Sequence, residues 1–373
     1  MMKAVRTLFR ILVGLVFVFS STVKGIDPLG TVYRMDDYFI AFGMPWAMTF
    51  SLVLTIFLCT LEFITGISLL FNLYIKGVSW ILLLMMTYFT VLTFFDAFYN
   101  LVPDCGCFGD AIKLTNMQTF LKNIILMGLV IPIFIWRNKY KPLVSVRLQI
   151  LLLVFFTAVF SAASVYCLRH LPFIDFMQWK KGSALTQSSD QPVKFYVTYK
   201  NTTTGETKEF LAPNYPWNDS VWMSQWVFVS QRTADEGAGG AIVLHIEDET
   251  GADQTAALTA IPDYSLIAVA YDLSKSEKKA FAELEQLYRA ASDNGYAFMI
   301  LTSSLPEEVN AFKAEMNLDM PFYFADDVVL KMLVRSNPGL LLIHRGLVKD
   351  KWAWRDLPGY GDLNERYFAR PNN

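Results

Sequence analysis

The sequence predicts a membrane-embedded, all-α four-helix bundle with a fifth transmembrane helix, followed by a soluble α/β domain with an added β-rich segment. Three observations carry this. Apolar runs of about 20 residues, the length that crosses a hydrocarbon core of about 30 Å, crowd into the first 170 of 373 residues. Beyond them, short runs rich in β-branched and aromatic residues alternate with helical stretches of ordinary polarity. The whole is 54% hydrophobic and 18% charged, a balance unusual for a soluble chain. The net charge of −2 offers no basic surface for nucleic acid. Four cysteines are too few for a disulfide scaffold.

The first span runs from about Arg6 to Val23, behind Lys3 and Arg6. No small-residue cleavage site follows it and further spans do, so it reads as an uncleaved helix rather than a secretory signal. A loop with a short amphipathic piece near Tyr33 to Phe42 leads to spans at about Pro45 to Phe71, Val78 to Tyr99 and Met117 to Trp136. The fifth covers about Leu148 to Leu168. Basic residues cluster at the N-terminus, at Lys76, and at Arg137, Lys139, Lys141 and Arg147. The positive-inside rule puts these on the cytoplasmic side, and the Asp104 to Asp110 loop with everything after Leu168 on the outer side.

After a linker from Leu171 to Gln191, strands are expected at Val193 to Tyr199, Trp222 to Val229 and Ala241 to Glu247, with a glycine-rich break at Gly237 to Gly240. The order then becomes strand (Leu266 to Tyr271), helix (Lys275 to Ala291), strand (Tyr296 to Leu301), helix, short strand (Pro321 to Phe324), helix and a closing hairpin at Leu340 to His344 and Leu347 to Trp352. Ser274 with Glu277, and Ser304 with Glu307, have capping-box spacing. This is the order of a thioredoxin-like domain. The division expected is 1–138 (four-helix membrane domain), 139–170 (basic cytoplasmic loop and fifth helix), 171–239 (linker and β-rich segment) and 240–373 (α/β domain).

Candidate chemistry centres on Asp104-Cys105-Gly106-Cys107-Phe108-Gly109-Asp110. Two cysteines one residue apart in a polar loop suit a redox or metal centre better than a core. Closing a disulfide across one residue demands a tight backbone that a side chain at Gly106 would oppose. Glu62 stands inside an apolar helix, where a lone carboxylate costs about 3 kcal/mol, so it is a functional candidate. Arg10 is read at a similar depth, which makes an Arg10–Glu62 pair a candidate. Asp96 lies near an outer helix end and reads as reaching the interface. Cys59 reads as packing. Cys167 and His170 share a helix face; with Cys105 and Cys107 they hold the ligand types of a zinc site, but the spacing is weak evidence and no metal is assigned. His245 and His344 show no obvious partners. Trp179, Trp217, Trp222 and Trp226 read as anchors and core.

Residues 1 to about 138 resemble the DoxX/MauE family of redox-associated four-helix membrane proteins. The resemblance rests on Arg10 with Gly14, on Lys24-Gly25-Ile26-Asp27-Pro28, on Glu62-Phe63 with Gly66, and most specifically on Cys105-Gly106-Cys107-Phe108-Gly109-Asp110. It implies a multi-pass protein of a bacterial inner membrane, engaged in thiol–disulfide or quinone-linked chemistry. The MauE branch is associated with maturation of a disulfide-rich periplasmic dehydrogenase, which implies a periplasmic protein client. In this reading Cys105, Cys107 and Glu62 are the site residues, and a membrane quinone is the cofactor.

The stretch from about Gly240 to Tyr367 resembles thioredoxin-like domains of the TlpA or peroxiredoxin kind. Pro338 in Asn337-Pro338-Gly339 matches their cis-proline. Where those domains carry Cys-x-x-Cys, this chain reads Asp272-Leu273-Ser274-Lys275-Ser276, and no cysteine follows Cys167. The tail therefore has no dithiol chemistry of its own. Two readings stay open: a redox protein using Cys105 and Cys107, or a non-enzymatic membrane scaffold whose tail binds a client.

Overall fold

The computed structural model describes residues 2–102, 105–185, 195–212, 215–216, 219–233 and 244–369. Pro103, Asp104, Trp217 and the Gly237 to Gly240 break fall outside these residues, as do Val193, Lys194 and the first residues of the strand expected at Ala241. The chain forms two compact units, Met1–Leu168 with Val229–Gln231, and Arg169–Phe228 with Arg232–Asn373.

The first unit is helical: α1 (Met2–Ile26), α2 (Pro28–Ala41), α3 (Ser51–Phe71, preceded by a 3-10 turn at Pro45–Phe50), α4 (Ile75–Tyr99), α5 (Asn116–Ile135) and α6 (Val146–Arg169). Five helical stretches, all but α2, are long and apolar enough to cross a membrane, so this is a multi-pass membrane protein. Side chains such as Leu84, Ile125, Leu151 and Val154 stand exposed on their outer faces, where lipid is the matching solvent.

Small residues set the register of α1 against α3. A Cβ at Gly14 would lie 2.9 Å from Leu70, and one at Gly66 would lie 2.8 Å from the Val18 backbone nitrogen. Glycine lets the two helices approach this closely. The core between the helices is Val13, Phe17, Leu69, Leu82, Met86 and Val130. Helix α6 lies against α1 and α3: the Phe160 ring stacks on Phe63 at 4.4 Å and fills the space over Gly25.

The segment expected as a short amphipathic piece is the full helix α2. Its start is dictated locally, because the Asp27 carboxylate accepts from Gly30 N at 3.0 Å and Pro28 occupies the first turn. Helix α5 begins with a capping box between Thr115 and Gln118.

In the second unit, β1 (Phe195–Asn201) and β2 (Thr207–Ala212) form an antiparallel hairpin, in a sheet of order β2-β1-β3. The strand expected from Trp222 is instead a short helix, α7 (Ser220–Gln225), followed by β3 (Trp226–Thr233). Asp219 causes this, since its side chain accepts from Val221 N and Trp222 N and opens a helical turn. Residues 244–247 form no strand beyond bridges at Glu247.

After α8 (Thr255–Thr259), a five-stranded mixed sheet holds β4 (Tyr264–Val269), β5 (Ala297–Thr302), β6 (Phe322–Phe324), β7 (Gly339–His344) and β8 (Leu347–Ala353) in the order β6-β5-β4-β7-β8. Strand β4 is central, parallel to β5 and antiparallel to β7. Helices α9 (Lys278–Asp293) and α10 (Pro306–Met316) supply Phe281, Leu284 and Phe312 to one face. Helix α11 (Asp327–Leu333) supplies Leu330 and Leu333 to the other, beside Trp179 and Ile246. A four-residue helix, α12 (Tyr360–Leu363), follows the sheet.

Neither capping box expected here forms at the expected residues. Helix α9 begins at Lys278, because Asp272 caps a separate 3-10 turn at Leu273–Lys275. At α10 the pair is Leu305 N with Glu308, while the Ser304 hydroxyl accepts from Leu273 N at 3.0 Å. The Asn337–Pro338 peptide is cis.

Candidate functional site

The connection between α4 and α5 is built to hold Cys105 and Cys107. Helix α4 stops at Asn100, whose left-handed backbone (φ +48) breaks the helical run. Asn116 Nδ2, at the start of α5, donates to the Val102 carbonyl at 2.9 Å and pins the outgoing chain. Gly106 and Gly109 take φ of +64 and +51, and Gly109 N donates to the Gly106 carbonyl at 2.9 Å. That turn folds the two cysteines towards each other, with Sγ atoms 2.9 Å apart. Such a separation is inside van der Waals contact and beyond a covalent S–S bond of about 2.05 Å. The glycine expected to be needed between the cysteines is in the left-handed region where it has its advantage.

The two sulfurs have different neighbours. Cys107 faces cations: Lys122 of α5 acts on it and lies 4.5 Å over the adjoining Phe108 ring. Lys24 of α1 also acts on it, and the Ser20 hydroxyl donates to the Cys107 carbonyl at 2.6 Å. The hydrogen bond from Cys105, then Lys122 and Lys24, pull the Cys107 thiol down to about 7 against the opposing effect of burial. Cys105 is pushed the other way, by its bond to Cys107 and by burial. Its other neighbour is Tyr38, whose hydroxyl acts on it and donates to Asp96 Oδ2 at 2.6 Å. Burial, with Cys105 and Asp96 nearby, holds the Tyr38 phenol well above its ordinary range. In its ground state it is a neutral donor.

Glu62 is buried and forms an ion pair with Lys24. The expected Arg10–Glu62 pair is thus corrected. The Gly14–Leu70 and Gly66–Val18 contacts place Glu62 opposite the residues just before Lys24, some three turns from Arg10. Arg10 is itself buried, with Nε and Nη1 lacking hydrogen-bond partners among the described residues. Cys59 sits beside the Lys24–Glu62 pair.

Asp96 also departs from expectation. It does not reach an interface, being 0% exposed, because α2 folds back and covers it with Tyr38. Sequence reasoning missed Tyr38 and read Asp96 as interfacial. The available signal was an aspartate in an apolar run two turns before the cysteines.

The remaining candidates have surroundings of their own. Among the described residues, no group of three or more His, Cys, Asp or Glu gathers in a metal-binding arrangement. Cys167 is buried on α6. His170 Nδ1 meets the Asp356 carboxylate at 2.7 Å. His245, expected without a partner, meets Glu247 at 3.0 Å, and His344 stacks on Tyr264 at 4.2 Å. Trp179 is wholly buried, its indole N–H donating to the Leu185 carbonyl. Trp222 and Trp226 stack in an aromatic cluster with Tyr199. A shallow cleft lined by Asp27, Gly30, Arg34, Gly106, Gly109 and Asp110 opens beside the cysteine turn.

In the second unit, the turn at Asp272–Ser276 faces the cis Asn337–Pro338 peptide. Asn337 Nδ2 donates to the Asp272 carbonyl at 2.7 Å, and the Ser276 hydroxyl donates to Asn337 Oδ1 at 2.7 Å. Hydroxyl, carboxamide and backbone groups satisfy one another there.

No curated protein matches the chain. Residues 2–137, which span α1 to α5 and contain both cysteines, Tyr38, Glu62 and Asp96, match the family model described as methylamine utilisation protein MauE.

Proposed function

We propose that this chain is a MauE-type membrane protein that carries out thiol–disulfide exchange through Cys105 and Cys107. The observation that carries the reading is the pair itself: two sulfurs 2.9 Å apart on a glycine turn, with two lysines acting on one of them. Cations beside a thiol favour the thiolate, the form that attacks a disulfide. The distribution of Lys and Arg among the loops supports placing this turn on the outer face, where disulfides persist.

In the direction that oxidises a client, a client dithiol gives two electrons and two protons to the Cys105–Cys107 disulfide. The resulting dithiol would be reoxidised by a membrane quinone taking up the two electrons and two protons. Glu62 pairs with Lys24, the lysine of α1 that acts on Cys107.

The second unit supports the client-binding part of the reading. Its sheet order favours a thioredoxin-like fold, and the thiol-free turn at Asp272–Ser276 favours docking over catalysis. The same feature favours the alternative, a scaffold in which Cys105 and Cys107 never turn over. Cys105→Ser separates the two. The exchange reading expects the Cys107 thiolate to attack a client's disulfide and a mixed disulfide to accumulate as the client's other sulfur leaves, detected as a reducible adduct by mass spectrometry. A variant that forms no adduct and retains full biological activity contradicts it.

A further inference from the structure

We infer that Tyr38 and Asp96 form the proton-accepting arm of Cys105: the Tyr38 hydroxyl takes the thiol proton while handing its own to the buried Asp96 carboxylate. This rests on the exchange reading and assigns the two sulfurs different tasks within it.

Three observations carry it. Asp96 is 0% exposed, yet only Oδ2 has a partner; Oδ1 has none among the described residues. An uncompensated carboxylate in an apolar helix is costly, and a carboxylate with one bare oxygen has a place for a proton. Tyr38 donates to Asp96 at 2.6 Å and acts on Cys105, and Arg34, one turn earlier on α2, lies against Gly106, so the helix that carries the phenol packs on the cysteine turn. Finally, the arm is on one sulfur only, since Cys107 faces Lys122 and Lys24.

The step balances as follows. Cys107, as thiolate, attacks a disulfide of the partner, forming a Cys107–partner bond and expelling the partner's other sulfur as thiolate. The Cys105 proton passes to the Tyr38 oxygen as the Tyr38 proton passes to Asp96. Cys105 then attacks Cys107 Sγ, the Cys107–partner bond breaks, and the partner's second sulfur leaves as thiolate. The pair is oxidised by two electrons, the partner disulfide is reduced, and one proton resides on Asp96. In reverse, the same arm reprotonates Cys105 when the pair is reduced. Tyr38 touches a reacting atom and is catalytic; Asp96 acts through it and is a positioning residue.

The test uses the full-length protein in detergent with oxidised glutathione as the partner disulfide, both steps being followed by acid quench and mass spectrometry. Glutathione addition at Cys107 is measured in a Cys105→Ser background, and closure is measured with both cysteines present. Tyr38→Phe and Asp96→Asn are each expected to slow closure by about 100-fold at pH 7, the lower range for general acid–base catalysis. Addition should stay within about twofold of the parent. Slowed closure should recover as pH rises, because hydroxide then deprotonates Cys105 directly. Among the described residues, the groups facing the two sulfurs are Tyr38 of α2, Tyr88 and Asp96 of α4, Lys24 of α1, Glu62 of α3 and Lys122 of α5, with Arg34 against Gly106. Tyr38→Phe and Asp96→Asn leave every cation of that set in place. Unchanged closure overturns the inference, as does an equal fall in both steps, which marks the arm as a structural pin. Failure of Cys107 to add glutathione in the Cys105→Ser background overturns the exchange reading itself.

Discussion

The turn at Cys105–Cys107 and the turn at Asp272–Ser276 pose the same local problem and solve it with different atoms. Each is a tight bend at the end of a regular element, fixed by a few hydrogen bonds. In the second unit those bonds close on themselves: Ser276 gives to Asn337, and Asn337 gives to Asp272. Around Cys105 and Cys107 they do not. One sulfur looks towards lysines, the other towards a phenol and a carboxylate with a bare oxygen. A self-satisfied turn is a stable surface, whereas unequal surroundings prepare two like groups for unlike roles.

The comparison breaks most easily at the sulfurs. Cys107→Ser is expected to abolish exchange with oxidised glutathione, while Ser274→Ala with Ser276→Ala leaves its rate unchanged. Equal losses in the two variants would place chemistry in the second unit. Gly106→Ala comes next. Alanine at φ +64 costs about 1 kcal/mol, and its Cβ would meet Arg34 Cγ at 3.0 Å. The turn relaxes, the sulfurs separate, and closure slows about fivefold.

Lys122→Met sharpens the electrostatic side of the contrast. The cation favours the Cys107 thiolate, which forms at lower pH than an ordinary thiol does. Without Lys122 that titration moves to higher pH, so iodoacetamide labelling of Cys107 at pH 7 falls about threefold and recovers by pH 9. A labelling profile that does not move rejects the assigned role. The smallest effect at the cysteines comes from Asn337→Ala. Loss of its two hydrogen bonds lowers the stability of the second unit by about 2 kcal/mol, read as a lower melting temperature, with Cys107 labelling unaltered.

Much of the fold was legible because its signals are local. Each span follows from the length of an apolar run, and the Pro45 to Phe71 boundaries coincide with the helical stretch observed. The cysteine turn was legible for the same reason, since Cys-Gly-Cys between polar residues has few other uses. What escaped depended on helices meeting. Reading Arg10 and Glu62 as level ignored the register that Gly14 and Gly66 impose, and that register gives Glu62 to Lys24. Asp96 read as an interfacial residue because its position along α4 says nothing of α2, whose Tyr38 buries it. At Trp222 a strand-forming composition lost to a single capping aspartate. Local propensity was overruled there by one well-placed acceptor.

The central claim is that Cys105 and Cys107 cycle between dithiol and disulfide against a membrane quinone. Differential alkylation of native membranes, read by mass spectrometry at both cysteines with the quinone pool first oxidised and then reduced, tests it most directly. The account predicts a pair that is disulfide-bonded when the pool is oxidised and alkylatable when it is reduced. A pair that stays in one state under both conditions contradicts it and leaves the scaffold reading in its place.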